Sequence, residues 1–149
     1  MRPTRLFWGA VAALLLSSSA ARGVEDPALK GLDATQRRVV AAYMSRQQSD
    51  GSTSSPDRAA VLPDGRIVVQ WTSYFGNSQA STVSLLEHAT KGWRLAGEAQ
   101  LRGTVSKMSI DGAVVRFEAL TTGPNDARCC PSVQIVQRFQ LTRGLPPLR

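Results

Sequence analysis

Two cysteines that are adjacent in the chain, Cys129 and Cys130, are the residues of this sequence best suited to chemistry. They lie in a loop-like stretch, residues 123–132, between two runs that alternate as strands do. Consecutive Cα atoms are about 3.8 Å apart, closer than in most disulfides, so a bond between the two sulfurs would be strained and easily reduced. It would close almost no loop and stabilise the fold little. The pair is a candidate disulfide or redox switch, and the alternatives are a rigid turn or two buried thiols.

Other chemistries find few suitable residues. Catalytic dithiols use a Cys-X-X-Cys spacing at a helix N-terminus, and this chain lacks that spacing. A zinc site needs about four ligands, which the two cysteines and the single histidine, His88, do not supply. A Cys–His nucleophile would need His88, at the end of a strand, to reach the cysteine loop. We therefore predict no metal, no cofactor and no identifiable catalytic residue.

Aromatic side chains are the first candidates for binding. Trp71 and Trp93 fall on the apolar faces of strand-like runs, so we expect them in the core. Tyr74 and Phe75 precede Gly-Asn in a predicted loop, and they are the better candidates for an exposed contact.

The cysteine loop adds polar candidates to this binding surface. Asn125 and Asp126 follow Gly-Pro, where such side chains commonly cap a turn by accepting hydrogen bonds from backbone N–H groups. Arg128 would then pair with Asp126 or point to solvent. All three residues are also candidates for contact with a partner.

The N-terminus has the pattern of an export signal. Arg2 and Arg5 precede an apolar run, residues 6–16, and a small-residue segment follows, residues 17–21. About eleven apolar residues are too few to span a bilayer, so we predict a signal peptide over residues 1–20 and no transmembrane segment after its cleavage. No cysteine lies near the cleavage site to carry a lipid. A periplasmic or secreted location follows, and disulfides persist there.

Cleavage after Ala20 would leave 129 residues with a net charge of +5, a size typical of one domain. The charges are dispersed and are not interleaved with aromatic residues, so nucleic-acid binding is not expected. An envelope protein or polymer is the expected partner, and the oligomeric state stays open.

One helix and one sheet are predicted to position these residues. Asp33 and Gln36 form a capping-box pattern, and the apolar residues that follow recur at helical spacing, which predicts a helix over about 33–46. Residues 47–57 contain no apolar side chain and are predicted to be a flexible connection. The period then changes to two, so residues 58–141 are predicted to form an antiparallel sheet. Turn signals occur at Pro63-Asp64-Gly65, Lys91-Gly92, Asp111-Gly112 and Arg143-Gly144.

The sheet pattern is duplicated. Similar units open at Gly65 and Gly112, each running strand, long loop, strand, turn, with long loops at residues 74–79 and 123–132. We therefore predict an α+β fold in which the N-terminal helix packs on the concave face of one curved, duplicated sheet of about six to seven strands. The two prolines within residues 145–149 cannot donate to a ladder, so a loose tail is expected there.

The stretch Gly123-Pro124-Asn125-Asp126, followed by Cys129-Cys130-Pro131-Ser132, resembles a group of uncharacterised exported bacterial proteins with this signature. In its Cys-Cys-Pro-Ser core it is similar to the LppP/LprE lipoproteins, although this chain lacks their lipidated N-terminal cysteine. The resemblance implies an envelope location and a β-rich domain, and it implies no particular activity.

Together these patterns favour a non-catalytic binding or structural module of the cell envelope, whose two long loops form a binding surface. A thiol-redox protein that uses Cys129 and Cys130 is the alternative. An enzyme such as a hydrolase is less favoured and stays open.

Overall fold

The computed structural model describes residues 26–48, 51–127 and 130–149, so the predicted signal peptide lies outside the described residues. A 3-10 turn, Pro27–Leu29, leads into helix α1, Ala34–Arg46. The Asp33 carboxylate accepts from the backbone N–H of Gln36 at 2.8 Å, and the Gln36 side chain accepts from the backbone N–H of Asp33 at 2.8 Å. This reciprocal cap confirms the predicted helix and its start. No helix in the described part is long and apolar enough to cross a bilayer.

The rest of the described chain forms strands in two antiparallel sheets, sheet A (β1-β2-β3-β4) and sheet B (β5-β6-β7-β8). The prediction of one curved sheet with six to seven strands was wrong, although the α+β class and the antiparallel pairing are confirmed. The strands are β1 (Ser52–Val61), β2 (Ile67–Phe75), β3 (Ser78–Ala89), β4 (Gly92–Leu101), β5 (Thr104–Asp111), β6 (Val114–Thr121), β7 (Val133–Gln140) and β8 (Pro147–Leu148).

The chain leaves sheet A and enters sheet B at Arg102 and Gly103. Gly103 has φ +73°, and a Cβ there would lie 2.3 Å from the carbonyl oxygen of Leu120. Only glycine permits this close approach, which lets β5 begin a second sheet instead of pairing with β4. The sheet that was predicted to be continuous is therefore divided at the β4–β5 connection.

Two apolar clusters hold three layers together. One cluster lies between the sheets, and the other lies between α1 and the opposite face of sheet A. The first contains Leu62, Val68, Val83, Leu85, Leu101, Val115, Phe117, Phe139, Leu141 and Leu145. The second contains Leu32, Val40, Tyr43, Met44, Ile67, Val69, Trp71 and Leu86.

Strand β1 begins at Ser52, whereas the sequence predicted a connection over residues 47–57. The first residues of β1 are polar, and one of them contacts β2 through its hydroxyl group. The sequence of this segment therefore lacks the alternation of apolar residues that predicts a strand. Ser54 Oγ lies 3.1 Å from Ser73 Oγ on β2 and donates to the carbonyl of Gln47 at 3.2 Å.

The two predicted long loops differ. Phe75 pairs with Ser78, so residues 74–79 form a tight hairpin around Gly76 and Asn77, and the prediction of a long loop there was wrong. Strands β6 and β7 are joined by the longer loop, residues 122–132. The β2–β3 hairpin, the β4–β5 connection and the β6–β7 loop all lie at one end of the two sheets, which we call the crossover end.

The C-terminal residues are not a loose tail. Leu145 is 1% exposed in the core between the sheets, and Pro147 pairs with Phe139 as part of β8. The edge position of β8 accommodates the prolines, because that strand needs a partner on one side only.

Candidate functional site

The sequence-predicted aromatic residues lie at the tip of the β2–β3 hairpin. Tyr74 is 43% exposed and Phe75 is 49% exposed, as expected for candidate contact residues. Because adjacent strand residues alternate, the two rings lie on opposite faces of sheet A. Trp71 is buried, as predicted, whereas Trp93 is only partly buried.

Asp126 organises the β6–β7 loop. Its Oδ2 accepts from the backbone N–H groups of Gly123 at 2.7 Å and Ser132 at 2.8 Å, and its Oδ1 accepts from Ser132 Oγ at 2.7 Å. These bonds, the one from Gly123 first, hold the pKa of the Asp126 carboxyl below its usual value. The predicted turn cap is therefore present. Asn125 is exposed beside it.

Of the two cysteines, the structure describes only Cys130. Cys130 is exposed, and its backbone N–H donates to the carbonyl of Ala127 at 3.0 Å. Cys129 and Arg128 lie outside the described residues. The disulfide, the redox switch and the role of Arg128 therefore stay predictions.

The structure brings the two predicted binding segments to the same end of the molecule without joining them. Among the described residues, no hydrogen bond or ring contact links Tyr74 or Phe75 to the β6–β7 loop. His88 lies at the other end and meets Trp93 edge to face, with ring centroids 5.6 Å apart. Within residues 26–48, 51–127 and 130–149 no group of three or more metal-ligating side chains occurs.

An open groove of about 570 Å³ runs between α1 and β4, and sequence analysis did not identify it. Trp93 and Leu95 of β4 form its floor, and Val39 and Ala42 of α1 form its wall. Leu95 is 45% exposed although it pairs with buried Leu86, so the groove leaves apolar surface open to solvent.

Cationic side chains surround this apolar surface. Arg38, Arg46, Lys91 and Arg94 all line the groove. Arg94 forms an ion pair with Glu87, with 2.5 Å between Nη2 and Oε1, whereas the other three form no ion pair with any described residue. The groove therefore carries unneutralised positive charge.

A hydrogen-bond network, buried except at Glu98, lies beneath the groove. Tyr43 Oη donates to Glu98 Oε2 at 2.6 Å and lies 2.8 Å from Ser84 Oγ, which accepts from Trp71 Nε1 at 2.9 Å. Burial, and then the bond to Glu98, raise the pKa of Tyr43 well above its usual value, so its hydroxyl stays protonated. The network fixes α1 to sheet A and engages the Glu98 carboxylate.

One signal in the sequence pointed to this groove. Arg38, Ala42 and Arg46 recur every four residues, directly beside the apolar stripe of α1. Their partner surface on β4 could be recognised only after the relative placement of helix and sheet was known.

Comparison of the chain with protein-family models, with curated proteins and with solved structures finds no significant match. The resemblance to the LppP/LprE lipoproteins therefore stays a prediction.

Proposed function

We propose that the protein is a non-catalytic binding module of the cell envelope, and that the groove between α1 and β4 holds an elongated amphiphile with anionic groups. The observation that carries this proposal is a set of three cations, Arg38, Arg46 and Lys91, around an exposed apolar floor. None of the three forms an ion pair with a residue that the structure describes. The export pattern of residues 1–20 supports the envelope location.

The spacing of the cations defines the shape of the ligand. Arg38 and Arg46 are eight residues apart on α1, a rise of about 12 Å, and Ala42 lies between them. Lys91 lies in the turn before β4 and adds charge on the facing strand. An apolar chain along Trp93 and Leu95 would place an anionic head group beside these cations.

Strand addition by a peptide is a weaker alternative, because the outer edge of β4 is partly occupied. The carbonyl of Ala96 accepts from the backbone N–H of Gly144 at 3.0 Å. A Cβ on Gly97 would lie 2.7 Å from that same nitrogen. The C-terminal turn therefore covers the middle of the edge that a peptide would need.

The direct test is calorimetric titration with dodecanoate and dodecyl phosphate below their micelle-forming concentrations, with neutral dodecyl maltoside as the comparison. We expect the two anions to bind, to change the fluorescence of Trp93, and to bind more weakly as salt is added. Equal binding of the neutral detergent would contradict the proposal.

A matched pair of variants locates the binding. We expect Arg38→Gln with Arg46→Gln to weaken dodecyl phosphate binding at least about tenfold, which is ~1.4 kcal/mol. The control is Arg102→Gln with Arg138→Gln, which removes the same charge from exposed positions outside the groove. Equal losses in both pairs would mean that only net charge matters, and the groove would be rejected as the site.

Export and cysteine state are tested together by intact mass of the protein taken from cells, with and without thiol alkylation. We expect a chain that begins after Ala20. A mass lower by two hydrogen atoms and no alkylation would show a Cys129–Cys130 bond, whereas two alkylated thiols would exclude it. An uncleaved N-terminus would contradict the envelope location.

A further inference from the structure

The face of sheet A that packs on sheet B changes from apolar to polar toward the crossover end. Along β2, Val68 belongs to the core between the sheets, but the next residues on that face, Gln70 and Thr72, are 1% and 5% exposed. The neighbouring strand β3 changes in the same direction. Val83, opposite Gln70, belongs to the core between the sheets, whereas Ser81, opposite Thr72, is polar and buried. Apolar side chains would fill such an interior without needing hydrogen-bond partners, so this polar patch points to a role beyond packing.

A β-bulge directs a carboxylate into this patch. Pro56 pairs with Trp71 and Arg58 pairs with Gln70, so Asp57 is an extra residue in β1. Its Oδ2 accepts from Gln70 Nε2 at 2.6 Å and from Thr72 Oγ1 at 2.6 Å. Bulges commonly redirect side chains beside binding sites.

A second bulge meets the first across the space between the sheets. In β5, Val105 pairs with Ala119 and Lys107 pairs with Glu118, which leaves Ser106 as the extra residue. Arg58 of β1 donates to the carbonyl of Ser106 at 3.0 Å and to Gln70 Oε1 at 2.8 Å. The two edge strands are thus joined through Arg58, and Gln70 bridges Arg58 to Asp57.

A cleft of about 280 Å³ opens onto this network. Several of its polar groups make no hydrogen bond to any described residue, and they remain free to bind a ligand. These groups are Asp57 Oδ1, the hydroxyls of Tyr74 and Thr104, and the side-chain amide of Gln79.

We propose that this cleft is a second binding site, which holds one ring of a neutral sugar. Asp57 and Arg58 lie in one network and offset each other's charge, which disfavours a charged ligand. The free groups both donate and accept, as sugar hydroxyls do, and the ring of Tyr74 offers an apolar face at the rim. The volume is below the ~300–1,000 Å³ of sites for drug-sized ligands, which limits the occupant to about one ring.

The test is a titration of ¹⁵N-labelled protein with maltose and with chitobiose, followed by amide chemical shifts, with sodium glutamate as a charged comparison. We expect saturable shifts at Thr72, Gln79 and Thr104 with at least one sugar. The proposal is overturned if neither sugar gives saturable shifts there, or if glutamate shifts these amides more than the sugars do.

Variants at the rim sharpen the test, because Tyr74 and Gln79 make no side-chain hydrogen bond within the described chain. We expect Tyr74→Ala with Gln79→Ala to raise the Kd of the sugar at least about tenfold. Phe75→Ala is the matched control, since it removes a similar ring from the same hairpin on the opposite face. Unchanged affinity in the rim variant would exclude the cleft. If that variant does not fold, the shifts in the unaltered protein decide.

Discussion

Sheets A and B follow the same four-strand meander, yet they occupy different environments. In sheet A, β2 is buried from Ile67 to Ser73 because α1 covers one face and sheet B covers the other. In sheet B, β6 alternates between buried and half-buried residues, because no helix or sheet within the described ranges covers its outer face. The helix therefore makes sheet A the middle layer, and both candidate sites use its surfaces: the groove on one face and the sugar cleft on the other.

The two sheets also differ in their connections at the crossover end. Sheet A joins its second and third strands by a turn of two residues, whereas sheet B uses residues 122–132. A two-residue turn is held by the strand ladder itself. In the described part of the longer loop, the Asp126 side chain accepts three hydrogen bonds, and backbone bonds join Asp126 to Gly123 and Cys130 to Ala127.

The largest expected change in stability comes from a substitution on the buried face of sheet B, compared with one on its outer face. Phe117 is fully buried between the sheets and meets Phe139 at 6.1 Å between ring centroids. We expect Phe117→Ala to lower the free energy of unfolding by about 3–5 kcal/mol, measured by denaturant titration. Val136 faces outward and is 51% exposed, so Val136→Ala is the control and should stay within about 0.5 kcal/mol. Similar losses for both variants would mean that the outer face is covered after all.

The C-terminal turn gives the next effect. Leu145 is held at φ 45°, an uncommon conformation for a residue other than glycine, while its side chain fills the core between the sheets. We expect Leu145→Ala to cost about 2–5 kcal/mol. Leu148 is 39% exposed on β8, and Leu148→Ala should cost less than about 1 kcal/mol. A loose tail, as the two prolines suggested, would make both substitutions neutral.

Several patterns that are local in the sequence predicted the local structure correctly. The Asp33 cap, the apolar stripe of α1 and the four glycine-containing turns are all present. The repeat that opens at Gly65 and Gly112 corresponds to the β1–β2 and β5–β6 turns of the two sheets. The cap and the turns each depend on residues fewer than about five positions apart, so they leave a direct trace in the sequence.

Features set by contacts between layers left no such trace. Trp93, Leu95 and Leu101 have the spacing of one strand face, but a bulge at Ala96 places Leu101 in the other core. The bulges at Asp57 and Ser106 also depend on contacts between the sheets, because Arg58 joins the two bulged strands. A period of two cannot reveal an extra residue, so neither the β4 side of the groove nor the cleft could be predicted.

The smallest expected effect concerns the loop that distinguishes sheet B. Hydrogen bonds lower the pKa of Asp126 in the folded protein below its ordinary value of 3.8, so the carboxylate stabilises the fold above that pH. This contribution is lost as pH falls through the folded pKa. We therefore expect Asp126→Asn to be less stable than the unaltered protein above about pH 5, and the difference to shrink as pH drops below 3.8.

Hydrogen exchange localises this effect, because the amides of Gly123 and Ser132 donate directly to Asp126. They should exchange faster in Asp126→Asn, while amides of the β2–β3 hairpin keep their rates. Asp111→Asn removes an exposed carboxylate from the end of β5 and is the control. If both variants show the same pH dependence, the carboxylate of Asp126 does not hold the loop. In that case strand pairing would support the β6–β7 loop as it supports the β2–β3 turn. The two connections would then differ only in length.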